Sequence, residues 1–585
     1  MFRSLLIAVL CVACSQPPTK KKDPGPRLPP KEKPGAVTIT LIGTNDLHGA
    51  LERLPILGGY IANVRAARAK DGGGVVLLDA GDMFQGTLES NLSEGADVVR
   101  AYNQLGYTAA AVGNHEFDFG PVGPAVTAAS VEDDARGALK ARASEAKFPF
   151  VSANIIDKQS GARIKWPNMP ASTLVEVANV KIGVIGASTE ATPFTTMAAN
   201  FAGLEISPPA QAIADEAKLL REKGAQLIFV TAHIGSKCSN LDKPNDISSC
   251  DTNEELFHVI RDLPKGSVDV FVAGHTHSTI AHRISDIVVI ESYAQGRAFG
   301  RVDLRIAPDG HVTSYKIHKP QLLCTGDEGS TLILASECKV LAEYEGAPVV
   351  ADAAIKSIVD EALAKAGARR VEKLGITVAA TITKSYGTES AQGNLFTDLM
   401  IAARPEAQIA MTNGGGLRAD IPAGPLTYGQ VFEAMPFDNR FAVVDLKGSH
   451  LRKLVSTNLQ RGGAILSWGG LTAKARCKNS KLDLAIAVGG KPLDENKSYK
   501  VATSDFLASG GDGLIGRLKL PEGSVKLTEV IIRDAMVEVL KKRKGTIDPK
   551  DYFSPTKKRM DYEGERPVTC QKSSTPTKRD TEPEE

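Results

Sequence analysis

The sequence predicts a layered α/β fold in two domains joined by a helix. Three observations predict it. Five short apolar runs each break at glycine or a small residue and then present Asp, Asn or His: VTITLIGTNDLHG, VVLLDAGD, AAAVGNHEFD, IFVTAHIG and VDVFVAGHTH. Helical patterns lie between them, such as PPAQAIADEAKLLREK at 208–223, which opens on prolines and stops at Gly224. An Ala-rich amphipathic stretch at 348–370 follows, and beyond it a different, glycine-rich set of motifs begins. Continuous apolar runs of this length read as buried strands. Their alternation with helices reads as layered α/β, with polar groups gathered past the strand ends.

The 585 residues are 42% hydrophobic and 24% charged, which excludes a wholly disordered or fibrous chain. Lys+Arg number 70 and Asp+Glu 68, a net charge of +2. That balance lacks the basic excess of a protein that coats nucleic acid. Aromatic residues are sparse at 5%, so a ring beside a functional motif carries weight.

The chain opens MFRSLLIAVLCVACSQ, a basic residue and a short apolar run at 5–12 that is too short to span a bilayer. It reads as a secretory leader. Ala13-Cys14 at its end resembles a bacterial lipobox, with Cys11 where a Leu is usual; ordinary cleavage near Ala13 is the alternative. The expectation is an exported protein in the periplasm or cell envelope, anchored by lipid at Cys14. The Pro- and Lys-rich run that follows reads as a flexible stalk, and the polar stretch from Gln571 as a disordered tail. Six further cysteines can form bridges in an oxidising space. Cys238–Cys250 and Cys324–Cys338 would close small loops and leave Cys477 and Cys570, but spacing does not fix the connectivity.

The polar groups after the strands are Asp46-x-His48, Gly81-Asp82, Gly113-Asn114-His115-Glu116, His233 and Gly274-His275-x-His277. They are oxygen and imidazole donors without a thiolate, a set suited to Zn, Mn, Fe or Co. One DxH or HxH alone is weak; the same pattern at five strand ends is strong. If one carboxylate bridges, the donors suffice for two divalent metal ions.

This series resembles the calcineurin-like metallophosphoesterases, and GNHEFDFG followed by FPFVSANI resembles their 5'-nucleotidase branch. The resemblance implies an N-terminal layered β-sandwich of αββα type and a C-terminal α/β substrate-binding domain. It implies that Asp46, His48, Asp82 and His277 hold one metal. Asp82, Asn114, His233 and His275 would hold the other, with Asp82 bridging. His115 would be the catalytic histidine and Asp118 its partner. Phosphate ester hydrolysis needs a nucleophile at neutral pH and relief of developing charge. Two metals about 3.5–4 Å apart supply both, by acidifying a shared water and clamping phosphoryl oxygens. His277 is a departure, since many such nucleotidases carry Gln there, and the GHTH form also occurs in 2',3'-cyclic phosphodiesterases.

In the second half, QGNL at 392–395, MTNGGGLR at 411–418, AMPFD at 434–438 and DFLASGGDG at 505–513 resemble the C-terminal domain of the same family. The resemblance implies that Phe437 and Phe506 sandwich a nucleobase and Asp512 holds the ribose. Asn413, Gly415 and Arg418 would be further substrate contacts. KSYGTESAQGN lacks the arginine that often precedes the GN motif; Arg440 is the candidate replacement. The expected boundaries are a leader at 1–14, a stalk at 15–36, the metallophosphoesterase domain at 37–345, a connecting helix at 346–372, the substrate-binding domain at 373–545, and an extension and tail at 546–585. Because the metal ligands end by His277 and the base-binding groups begin near Asn413, the active site is expected in the cleft between domains. The resemblance also implies an open–closed movement. The expected activity is hydrolysis of nucleoside 5'-phosphates to nucleoside and phosphate. UDP-sugars and 2',3'-cyclic nucleotides are rival substrates, and a surface nucleotide-binding lipoprotein is the rival without catalysis.

Overall fold

Two six-stranded sheets face each other in the first domain. One runs Val312–Leu322, Ala298–Ile306, Val37–Thr44, Gly74–Asp79, Ala109–Ala111, Phe150–Val151; the other runs Thr279–Ile284, Ile287–Ser292, Val270–Val272, Leu227–His233, Val180–Ser188, Ser172–Val177. These elements belong to a computed structural model that describes residues 35–123, 125–128, 130, 132–325 and 338–570. The expected leader, the stalk up to residue 34 and the tail from Gln571 lie outside the described residues. Among the described residues, no helix is long and apolar enough to cross a membrane.

The layering explains the continuous apolar runs. Ile39, Leu41, Val76, Leu78, Leu227 and Phe229 point into the core between the sheets. Ile42 and Leu77 point outward under the helices Leu54–Lys70 and Ala96–Leu105. Ile228 and Val230 point outward under Pro209–Glu222 and Glu255–Asp262. Strands covered on both faces need apolar residues at every position, and each such side chain contributes about 1.5–3 kcal/mol of burial. The result is helix, sheet, sheet, helix. The sheets approach closely at Gly43, where a Cβ would stand 2.7 Å from Val272 Cγ1.

The helix Ala353–Arg370 is capped by Asp352, whose carboxylate accepts from the amides of Ala354 and Ile355. Its buried stripe is Ile355, Val359, Ala362 and Ala366. The first three belong to the core of the metal domain and Ala366 to that of the second domain. The connector is therefore shared between two cores.

The second domain is built on a five-stranded sheet in the order Leu466–Gly469, Ile409–Asn413, Ser498–Ser504, Arg440–Lys447, Val525–Ile531. Ala391–Ala403 and Ile532–Arg543 pack on one side and Gly448–Gln460 on the other. Residues beyond 545 are woven in. Gly545–Ile547 pairs in parallel with Lys373–Val378, and Met560–Tyr562 with Leu471–Lys478. The cysteines pair as Cys238–Cys250, Cys324–Cys338 and Cys477–Cys570.

Candidate active site

The candidate metal ligands lie at or just beyond the ends of strands of the first domain: His233 closes the strand Leu227–His233, and the others follow their strands within a few residues. Asp46, His48, Asp82, His275 and His277 all hold positive φ, between 50° and 77°. Non-glycine residues rarely adopt this conformation, and its strain persists only where the surroundings impose it. Asp82 is framed by Gly81 at φ +90° and by Gly113, where a Cβ would stand 2.2 Å from Asp82 Oδ1.

The side chains converge as two groups, Asp46, His48, His277 and Asp82, His233, His275. Asp82 Oδ2 joins them, 3.0 Å from His233 Nε2 and 3.8 Å from His48 Nε2. The tautomers follow from partners that can only accept. His48 Nδ1 donates to the Gln85 carbonyl and His233 Nδ1 to the Ala80 carbonyl, both at 2.9 Å. Both Nε2 atoms therefore present lone pairs to the site. Asn114 Nδ2 donates to the Thr195 carbonyl, which turns Oδ1 toward His233 Nε2 at 3.0 Å. His275 Nδ1 lies 3.1 Å from the same atom, and His48 Nε2 lies 2.9 Å from His277 Nε2.

Lone pairs facing lone pairs at about 3 Å call for positive charge between them, so the donor set fits divalent cations. At His233 a proton is a substitute the chain itself offers. Burial opposes the His233 imidazolium, but Asp82 outweighs it and lifts the pKa to about 10. Burial would likewise raise Asp46 and Asp82, yet the facing histidines hold both carboxyls below their ordinary range. His275 is pushed down to about 3 by burial and by His233.

His115 and Asp118 meet at 2.6 Å between Nδ1 and Oδ2. The His115 amide donates to Asp82 Oδ1 at 2.9 Å. Burial opposes its charge, but Asp118 and Asp82 prevail and its pKa is raised.

The second domain reaches into this centre. Arg418 Nη2 lies 2.9 Å from His48 Nε2, and its guanidinium stands 5.7 Å from the Phe437 ring. The Phe437 and His115 ring centroids are 5.4 Å apart. Asn413 Nδ2 donates to Asp512 Oδ2 at 2.9 Å. Asp512 sits at φ +54°, and its carboxyl is raised by burial. The half-buried Phe506 lies flat against Gly511, where a Cβ would stand 2.5 Å from the ring. Gly415 adjoins Tyr386, whose ring would lie 3.7 Å from a Cβ there. Two groups thus emerge: Arg418 and Phe437 beside His48 and His115, and Asn413 bonded to Asp512 with Phe506 against the neighbouring Gly511. The GN motif serves packing instead. Asn394 is buried and bonds Glu389 and the Tyr552 carbonyl, and a Cβ on Gly393 would strike Ser467 Oγ at 2.1 Å.

Several residues support the site from outside the two donor groups. Glu116 accepts from the amides of Gly113, Asp82 and Met83, and burial together with Asp82 pushes its carboxyl up to about 8. Asn45 Nδ2 donates to Asp46 Oδ2 at 2.7 Å, and Asn45 Oδ1 accepts from the Ser292 amide. Glu291 accepts from Thr276 Oγ1, between the two histidines of the GHTH run. Lys384, at the head of KSYGTESAQGN, has its pKa lowered by desolvation and by the charge of Arg418. Arg440 instead faces Asp505.

Residues 39–279 match the calcineurin-like phosphoesterase model and residues 368–517 the 5'-nucleotidase C-terminal domain model. Protein UshA of Yersinia enterocolitica is 27% identical over 525 residues, 82% of this chain and 87% of that protein. A 5'-nucleotidase of Vibrio cholerae is 26% identical over 518 residues, 81% and 85% of the two chains. The crystal structure of a 5'-nucleotidase precursor from Thermus thermophilus is 25% identical, covers 90% of this chain and 99% of its own, and gives a TM-score of 0.69. With two donor groups in the first domain, an arginine and an aromatic ring brought over them by the second, and both domain models matched, the chain belongs to the two-domain 5'-nucleotidase family of metal-dependent phosphate ester hydrolases.

Proposed function

We infer that the protein hydrolyses nucleoside 5'-phosphates to nucleoside and phosphate outside the cytoplasm. The observation that carries this reading is the reach of Arg418 and Phe437 across the domain boundary to His48 and His115. A substrate with a phosphate at one end and a planar, hydrogen-bonding body at the other fits both halves of such a cleft.

Divalent cations, when bound by Asp46, His48, Asp82, Asn114, His233, His275 and His277, supply Lewis-acid activation of water and of the phosphoryl group. Zn, Mn, Co and Fe suit these donors. Arg418 binds phosphoryl oxygens with a guanidinium fixed by the Phe437 face. His115 donates its Nδ1 hydrogen bond to Asp118, which steadies a proton carried at Nε2 for the leaving oxygen. Phe437 and Phe506 offer apolar faces to the base, and Asp512, steadied by Asn413, offers a carboxylate to the ribose. The leader-like N-terminus and three disulfides support export, with Cys14 as the lipid attachment point.

The test is phosphate release from the purified protein with Mn, Co or Zn, across nucleoside mono-, di- and triphosphates, UDP-glucose and 2',3'-cyclic nucleotides. Nucleoside 5'-monophosphates are expected to give the highest kcat/KM, and chelation to abolish turnover. A preference for UDP-glucose or a cyclic nucleotide would transfer the reading to that ester.

A further inference from the structure

The turn Thr192–Thr195 of the metal domain combines a tied base with an open tip. Thr189, Thr192 and Thr196 are buried. Thr192 Oγ1 donates to the Thr189 carbonyl at 2.8 Å and Thr195 Oγ1 to the Ala191 carbonyl at 3.0 Å. The Glu190 amide donates to Glu255 at 2.9 Å. Phe194, at the tip, is 55% exposed. A single exposed ring is ordinary on a protein surface, so its meaning rests on what the turn beneath it lies against.

Its neighbours say what that surface meets. The turn packs against Gly511–Gly513 of the second domain, which carries Asp512. A second exposed ring, Tyr386, adjoins Gly415 on that same domain and feels the charge of Asp512. The turn also touches the chemistry: the Thr195 carbonyl accepts from Asn114 Nδ2, and Thr196 Oγ1 donates to Asp118 Oδ1, both at 3.0 Å. The element that carries Phe194 thus lies against both the Asn114–Asp118 side of the metal centre and the Asp512 turn.

We propose that Phe194 is a specificity-determining contact that covers the nucleoside part of the substrate from the metal domain, facing the Asp512 turn. This rests on the nucleotide reading given above. Because the backbone under the ring is already tied down, only the side chain loses freedom when substrate arrives. The nucleoside slot then has walls from both domains and is complete only while they stand together. An ester too small to extend past the metal centre never touches Phe194.

The experiment compares wild type, Phe194→Ala and Phe194→Tyr, each as full chain with Mn, using AMP and p-nitrophenyl phosphate as substrates. Adenosine and inorganic phosphate serve as inhibitors. Phe194→Ala is expected to raise the KM for AMP and the inhibition constant of adenosine by about 5- to 150-fold, the range for losing one aromatic contact to a base. kcat, metal content, p-nitrophenyl phosphate kinetics and inhibition by phosphate stay within about twofold, and Phe194→Tyr restores the AMP KM. An unchanged KM for AMP in Phe194→Ala overturns the proposal. So does an equal loss on both substrates, which would make Phe194 a prop for Asn114 and Asp118. A wild type that shows no preference for AMP over the aryl phosphate removes the nucleotide reading itself. A wild type that prefers AMP while Phe194→Ala behaves identically removes only the role of Phe194.

Discussion

Arg418 Nη2 and His48 Nε2 stand 2.9 Å apart although 370 residues separate them in sequence. One belongs to the 5'-nucleotidase C-terminal domain and the other to a donor group of the first domain, so this pair measures how closely the two halves meet. Arg418→Ala is expected to lower kcat/KM by roughly 10- to 150-fold, the weight of a charge-assisted hydrogen bond of about 1.5–3 kcal/mol. The loss falls on AMP and p-nitrophenyl phosphate alike, because both present a phosphate, and bound metal stays at the wild-type level. Steady-state kinetics with elemental analysis of the purified variant checks both statements.

Asp82 Oδ2 is the oxygen shared by the two donor groups. Asp82→Ala should therefore lose more metal than Asp46→Ala, His233→Ala or His277→Ala. Metal titration of the four variants orders them directly. Metal retention by Asp82→Ala equal to that of the other three would contradict a bridging position.

His115→Ala should reduce turnover about 10²- to 10⁴-fold with normal metal content, as for loss of a positioned proton donor. Asp118→Asn gives a sharper test. Burial lowers the His115 pKa, and Asp118 is the largest influence raising it. Without that carboxylate the imidazolium gives up its proton at lower pH. The alkaline limb of the kcat profile should consequently move to lower pH in Asp118→Asn, while the metal stoichiometry stays the same.

At the end of the connector one cation serves three carboxylates. Arg370 lies 2.7 Å from Glu52, 3.4 Å from Glu89 and 3.3 Å from Glu433. Burial raises Glu433 to about 6 even though Arg370 opposes the shift, and Glu89 is raised likewise. A carboxyl whose pKa rises on folding loses stability as pH climbs from its unfolded value toward the folded one. Arg370→Gln removes the opposing charge, so its melting temperature should fall clearly below wild type at pH 7.5. The deficit should shrink at pH 5, where the carboxyls take up protons. Thermal scans at the two pH values decide it.

The metal centre is legible in the sequence because its chemistry forces particular residue types onto short loops directly after strands. Asp46-x-His48, Asn114-His115 and His275-x-His277 are each local in sequence, and the strands preceding them are apolar on both faces. The supports are not legible. Glu116 reads as one more acid in GNHEFD, yet its task is to hold amides 33 and 34 residues away, which only the folded chain reveals. Asn45 and Glu291 are similar cases. The connector is visible as an amphipathic stretch, but its division between two cores is not, since Ile355 and Ala366 are apolar in the same way and differ only in what they meet. Phe194 is silent because a ring on a loop carries no periodicity. Lys384 is silent because a lone lysine before a glycine-rich run is ordinary surface chemistry until the fold brings it within reach of the charge of Arg418.

The helix Ala353–Arg370 bears on how such enzymes can be taken apart and recombined. A cut before Ala353 strips Ile355, Val359 and Ala362 from the metal domain, and a cut after Arg370 strips Ala366 from its neighbour. Either fragment would display an apolar trench where the helix had lain. A chimaera between two relatives keeps both interiors closed only if the helix side chains match the first parent along their opening turns and the second parent along the last. The natural crossover point is therefore inside the helix, between Ala362 and Ala366, rather than in either loop that flanks it.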